Sequence, residues 1–211
     1  MISKRFSKLK CASTIAVFAP LSFILCQTAF ANIYDSAREK LSVYTLDTPH
    51  WYVSGNLGVS NLHDSATPGT RNSVNENGPG WNVNGGYQFN SMLGGELGYT
   101  QYHDSRETAG AVVVARTEHY AIDLAATGRY PLVEKLSALA KLGVAYSYAN
   151  KVFVASGASG SAGSVSLYGG LGLAYSITPK VDFVAQFAGA RGNHLTGSSD
   201  LFSLGFTFAI T

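Results

Sequence analysis

Cysteine is almost missing from this 211-residue chain, and the two it has, Cys11 and Cys26, lie within the first 26 residues. If that segment is removed, no disulfide, thiol nucleophile or cysteine-built metal site is left. Charge is scarce too: Asp, Glu, Lys and Arg together make up 13% of the chain. No basic stripe marks a nucleic-acid face, and nucleic acid is not an expected partner. The histidines His50, His63, His103 and His119 show no H-x-x-x-H ligand spacing. They read as loop or rim residues, with no metal and no cofactor expected.

The front of the chain sets the compartment. Lys4, Arg5, Lys8 and Lys10 precede the apolar stretch ASTIAVFAPLSFIL, and Ala29-Phe30-Ala31 follows as a small-x-small cleavage site. Residues 1–31 therefore read as a secretory signal peptide. Pro20 inside the apolar run and the Ala-x-Ala site weigh against an uncleaved anchor, and Leu25 before Cys26 weighs against a lipoprotein. Cleavage removes both cysteines and four basic residues, leaving eleven Lys and Arg against thirteen Asp and Glu. Residues 32–50 form a periplasmic segment in which DSAREKLS is able to make a short helix.

From residue 51 the pattern has a period of two, the signature of strands. Trp51, Val53, Gly55, Leu57 and Val59 alternate with Tyr52, Ser54, Asn56, Gly58 and Ser60. The same alternation recurs through Trp81 to Phe89, Leu93 to Tyr99, Tyr120 to Tyr130, Leu136 to Tyr148, Val165 to Ile177, Val181 to Phe187 and Phe202 to Ile210. That makes eight strands. Tight turns are expected at Asn90-Ser91, Pro131 to Glu134 and Thr178-Pro179. Long polar or Gly/Ser-rich loops are expected at His63 to Pro79, His103 to Thr117, Asn150 to Gly163 and Gly192 to Ser199, with ASGASGSAGS flexible. Short turns on one side and long loops on the other are the layout of an outer-membrane barrel.

The alternation also indicates what covers the apolar faces. A soluble barrel keeps its large apolar residues inside. Here the minor face of each strand carries Gly, Ser, Asn, Thr and most strand charges, while the major face carries Leu, Val, Tyr and Phe, so lipid is the expected cover. Aromatics fall at two heights, Trp51, Phe89, Tyr130, Tyr175 and Phe208 near the short turns and Tyr99, Tyr120, Tyr148 and Phe202 nearer the long loops, as two interfacial girdles require.

WYVSGNLGVS, GGYQFNSMLGGELGY, RYPLVEKLSALAKLG, AYSITPKV and LFSLGFTF resemble successive strands and turns of the OmpA transmembrane domain and related small outer-membrane barrels, over residues 51–211. The resemblance implies an all-β, eight-stranded antiparallel up-and-down transmembrane β-barrel in the cell outer membrane, surrounded by lipid and lipopolysaccharide and expected as a monomer. It also implies that Ser203, Gly205, Phe208 and Ile210 resemble the signal read by the barrel-assembly machinery, with Ile210 and Thr211 in place of the usual final aromatic. OmpA itself continues into a peptidoglycan-binding domain, and no peptidoglycan tether is expected for this sequence. Of the family's inward charged cluster, Glu96 and Lys141 are matched, whereas the other positions fall on Thr127, Ala174 and Val184.

So small a barrel leaves no open channel, and inward Glu96, Asp123, Arg129, Lys141, Asp182 and Gln186 must satisfy one another or water. Two readings stand, a polar plug and a narrow gated ion path. A third function class, a lipid-modifying enzyme, rests on NHLTGSSD, where His194 and Thr196 faintly resemble the His-x-Ser pairing of lipid A deacylases with no acid placed behind His194. The expectation is a non-enzymatic surface barrel serving envelope integrity, with adhesion or host-surface contact through its loops.

Overall fold

A computed structural model describes residues 46, 48–63, 70–191 and 197–210. The expected signal peptide, nearly all of the 32–50 segment, His194, Thr196 and Thr211 lie outside the described residues. The described chain is all-β: β1 (His50–His63), β2 (Ser73–Asn75), β3 (Asn77–Gln88), β4 (Leu93–Gln101), β5 (Ser105–Ala109), β6 (Val112–Val133), β7 (Leu136–Phe153), β8 (Ser159–Thr178), β9 (Val181–Arg191) and β10 (Ser198–Ile210).

Every pairing is antiparallel. Strand β1 is flanked by β3 and β10, and the ladder runs on through β4, β6, β7, β8 and β9 until β10 returns to β1. Eight strands thus close on themselves, which removes the sheet edges that an open apolar sheet would expose. The two short strands lie above this ring: β5 continues the line of β4 and pairs with the start of β6, while β2 pairs with β5.

Burial follows the two-residue period of an extended backbone. Along β1, Trp51, Val53, Leu57 and Val59 are exposed while Tyr52, Ser54, Asn56 and Ser60 are buried. Strand β10 repeats this, with Phe202, Leu204, Phe206, Phe208 and Ile210 outside and Ser203 and Gly205 inside. Leu57 and Val165 are each 73% exposed and Leu171 70%, values that only an apolar solvent makes stable.

The loops differ from expectation. Parts of three of the expected long loops are strand: β3 begins at Asn77 and includes Pro79, β5 and the start of β6 occupy 105–109 and 112–117, β7 runs to Phe153 and β8 begins at Ser159. Six of the ten residues of ASGASGSAGS therefore lie in β8. The reason is physical. Lipid imposes apolar alternation only across the bilayer, about 9–11 residues per tilted strand, whereas β6 has 22 residues and β8 has 20. The excess projects beyond the membrane, where polar and small residues satisfy a ladder equally well. The chain reverses there in tight turns; Gly110, at φ 64°, takes the left-handed conformation between β5 and β6. At the other end Pro131 lies inside β6, at a register irregularity with β7, and the turn falls on Glu134-Lys135.

Candidate functional site

The inward face of the barrel is built in three layers. At the short-turn end a cavity of about 90 Å³ runs from His50, Ser91 and Lys180 inward to Glu96 and Lys141. Near its mouth Arg129 reaches across from β6: one guanidinium nitrogen lies 2.5 Å from Asp182 Oδ2, and two others donate to Ser137 Oγ at 3.2 Å and Ser176 Oγ at 3.0 Å. This ties β6, β7, β8 and β9 together at one height. Thr127, Ala174 and Val184 line the same cavity, so three of its wall positions are small or apolar.

At the inner end of the cavity Lys141 Nζ donates to Glu96 Oε1 at 2.5 Å, with side-chain exposures of 9% and 3%. The Tyr52 hydroxyl donates to the other Glu96 oxygen at 3.1 Å. Tyr52 takes this position because its ring lies where a Cβ on Gly86 would stand; any larger residue there would displace it. Beside them the β1 and β3 side chains form a polar ladder, Asn56 Nδ2 to Asn82 Oδ1 at 2.7 Å and Asn84 Nδ2 to Ser54 Oγ at 2.8 Å. Asp123 and Gln186 point into the same layer, 1% and 4% exposed. Among the described residues neither Asp123 oxygen has a hydrogen-bond partner, nor does Gln186 Nε2.

Of the inward charges, the structure thus joins Glu96 with Lys141 and Arg129 with Asp182, and leaves Asp123 apart. The strand alternation did not anticipate the next layer, which is apolar. Leu62, Tyr102, Tyr168 and Leu201, each 1–3% exposed, form one buried cluster with Ala121, Ala125, Ala145, Ala188 and Ala190. These residues come from six of the eight ring strands and from the link between β4 and β5. The signal was in the sequence, since Tyr168 and Leu62 fall on the minor face by parity, but a lone apolar residue on a polar face looks incidental until its neighbours from other strands are known.

Beyond this layer, inside the projecting sheet, Lys151 Nζ donates to Glu107 Oε2 at 2.6 Å and Asn72 Nδ2 to Glu107 Oε1 at 2.6 Å. His119, expected at a loop or rim, lies instead inside β6, 3% exposed, with its Nε2 3.3 Å from Ser105 Oγ. Its place follows from parity within a strand that continues past the membrane. His50 and His63 open and close β1, and His103 lies in the β4–β5 link.

On the outside, Trp81, Tyr99, Tyr120 and Tyr148 make a chain of ring contacts across β3, β4, β6 and β7, with centroids 5.5, 5.8 and 4.9 Å apart. Trp51, Tyr87 and Phe89 make a second chain near the short turns, at 5.0 and 5.5 Å. Two aromatic belts flanking an apolar band are the mark of a membrane-spanning barrel.

A closed, lipid-facing barrel of eight long strands with a filled interior is an outer-membrane β-barrel. The model of the OmpA-like transmembrane domain matches residues 47–188, and the chain belongs to that family. It is 28% identical over 131 residues to outer membrane protein A of Escherichia coli O157:H7, covering 62% of this chain and 37% of that protein. It is 34% identical over 99 residues to outer membrane protein A of Klebsiella aerogenes, covering 44% and 27%. The chain thus spans well under half the length of these relatives. Among solved structures, Neisserial surface protein A superposes with a TM-score of 0.58 at 18% identity, covering 76% of this chain and 97% of that one. Ail, the attachment invasion locus protein of Yersinia pestis, gives 0.54 at 18% identity, covering 78% and 100%. These two show a shared fold. The protein resides in the cell outer membrane.

Proposed function

We propose that this protein is a non-enzymatic surface barrel with a closed lumen, whose work is done by its projecting sheet and by its presence in the membrane. The observation that carries the reading is the apolar layer of Leu62, Tyr102, Tyr168 and Leu201, with Glu96–Lys141 directly beneath it. A hydrated ion would have to break a buried ion pair and then cross packed hydrocarbon. The polar-plug reading is favoured over a gated path for that reason. Envelope integrity is the resulting role, with contact to surfaces or host molecules through β2, β5 and the outer ends of β6, β7 and β8. No observation favours a lipid-modifying enzyme, since His194 lies outside the described residues.

The reading includes a history for the chain. Residues 1–31 direct export and are removed, the barrel-assembly machinery recognises Ser203, Gly205, Phe208 and Ile210, and the folded monomer sits among lipid and lipopolysaccharide. Support for the assembly role comes from the position of β10, which must pair with β1 to close the barrel. The test is planar-bilayer conductance of the refolded protein, with folding verified by the different mobility of boiled and unboiled sample. Conductance near background is expected; discrete channel openings in a fully folded sample would refute the closed lumen.

A further inference from the structure

A groove of about 220 Å³ opens in the lipid-facing wall where β7, β8, β9 and β10 lie side by side. Strand register explains it. Leu142, Gly169, Gly189 and Asp200 stand in one row across these four strands, and the next row toward the long loops holds Leu167 and Arg191. All of them face outward, because their chain neighbours Tyr168, Ala188, Ala190 and Leu201 are buried inside. Two adjacent strands thus lack a side chain at the same place, while the exposed Leu142, Leu167 and Phe187 rise around the gap. A Cβ added at Gly169 would have as its nearest neighbour the Lys141 carbonyl oxygen, at 3.7 Å, so the floor is open there. Where a Cβ on Gly189 would stand, the Asp200 carboxylate lies instead. Glycine inside a strand weakens it and marks a place where another molecule comes close to the backbone. The groove is also amphipathic. Its row continues past Asp200 to Asn61 and Asn77, polar residues on the outward face, so the β10 end has left the hydrocarbon while Leu142 at the β7 end is still within it. None of the ion pairs among the described residues includes Arg191 or Asp200.

We propose that this groove binds one molecule of lipid A, the phosphorylated and acylated aminosugar lipid of the outer leaflet, with an acyl chain over Gly169 and a phosphate on Arg191. The acyl chain replaces the two missing side chains and packs against Leu142, Leu167 and Phe187. The Arg191 guanidinium presents the planar fork of donors that suits a phosphate, and basic groups at the edge of the hydrocarbon are what phosphorylated headgroups meet. Asp200, one row away, accepts from the amide and hydroxyl donors of the aminosugar. The leaflet follows from the strand direction: Arg191 ends β9 at the side away from the short β8–β9 turn, which is the outer side of such a barrel. The site rests on the reading that the barrel sits among lipopolysaccharide, and narrows that contact to one place on the wall. It is independent of the closed lumen, since every group involved faces outward.

The test is thermal unfolding of the full refolded barrel in detergent, titrated with bis-phosphorylated lipid A and, in parallel, with dephosphorylated lipid A and with phosphatidylethanolamine. A saturable rise in midpoint with lipid A is expected. Arg191→Ala should weaken half-saturation about tenfold, the typical worth of one charge-assisted hydrogen bond, and dephosphorylated lipid A should show the same weakening on the wild type with no further loss on the variant. Gly169→Leu fills the groove and should abolish the response. If Gly169→Leu does not fold, Arg191→Ala, on the exposed face, decides. A lipid A response unchanged in the variants would overturn the groove as the site and leave general contact with lipopolysaccharide standing, whereas no response in the wild type would overturn both. A response to phosphatidylethanolamine as strong as that to lipid A would overturn lipid A as the occupant.

Discussion

Removing one partner of the Glu96–Lys141 pair should destabilise the barrel more than any surface charge could. At 2.5 Å, and with an effective dielectric constant of about 20, the gross attraction is about 6–7 kcal/mol. Desolvation of both groups offsets much of it, and losing one partner of a buried pair typically costs about 3–5 kcal/mol. The two single mutants should not be equal. Lys141→Ala leaves Glu96 with only the Tyr52 hydroxyl at 3.1 Å and places it near Asp123 with no cation between them, so its loss belongs at the upper end of that range. Glu96→Ala leaves Lys141 the Asp123 carboxylate as an alternative, so its loss belongs at the lower end. The double mutant removes both charges and should recover part of the sum. The assay is equilibrium urea unfolding of the barrel in lipid vesicles, with all four proteins in one series, and single-channel conductance recorded alongside. Under the plug reading conductance stays at background throughout. Single-mutant losses that add within about 0.3–0.5 kcal/mol would show that the two side chains are uncoupled. A rise in conductance with little change in stability would replace the plug with a gate.

Tyr168→Ala removes one of the two tyrosines of the apolar layer; a loss of about 3–5 kcal/mol is expected for a truncated buried aromatic, with ion leakage measurable in the same bilayer if the layer is the seal. Phe208→Asp places a charge on the lipid face and alters the proposed assembly signal; the direct cost near an interface is about 0–1 kcal/mol, so outer-membrane levels should fall far more than the stability of the refolded protein, and unchanged levels would refute the signal. Lys151→Ala frees Glu107 from the pair that ties β7 to β5, and the projecting sheet should become cleavable by external protease while the membrane ring stays intact. N-terminal sequencing of the mature protein should begin at Asn32.

The side-chain period of two was enough to show that this chain is a lipid-facing barrel. A strand exposes alternate residues to opposite environments whatever surrounds it, so Phe202, Leu204, Phe206, Phe208 and Ile210 on one face and Ser203 and Gly205 on the other already state which side meets hydrocarbon. The inward direction of Glu96, Asp123, Arg129, Lys141 and Asp182 followed from the same parity. Parity is silent outside the bilayer, which is why 105–109, 112–117 and 159–163 read as loop although they are strand, and why His119 reads as a rim residue.

Contacts across the lumen depend on strand tilt and on the stagger between strands, quantities with no local signature. Glu96 and Lys141 lie 45 residues apart, Arg129 and Asp182 53, and only closure of the sheet makes each pair neighbours. The same closure gathers Leu62, Tyr102, Tyr168 and Leu201, single apolar residues on otherwise polar faces, into one cluster, and sets Asp123 opposite Gly98 with no hydrogen-bond partner among the described residues. The sequence determined the face of each side chain because that is set by the backbone within a strand. The tertiary structure alone decided which inward groups meet, because that is set by the shear of the whole barrel.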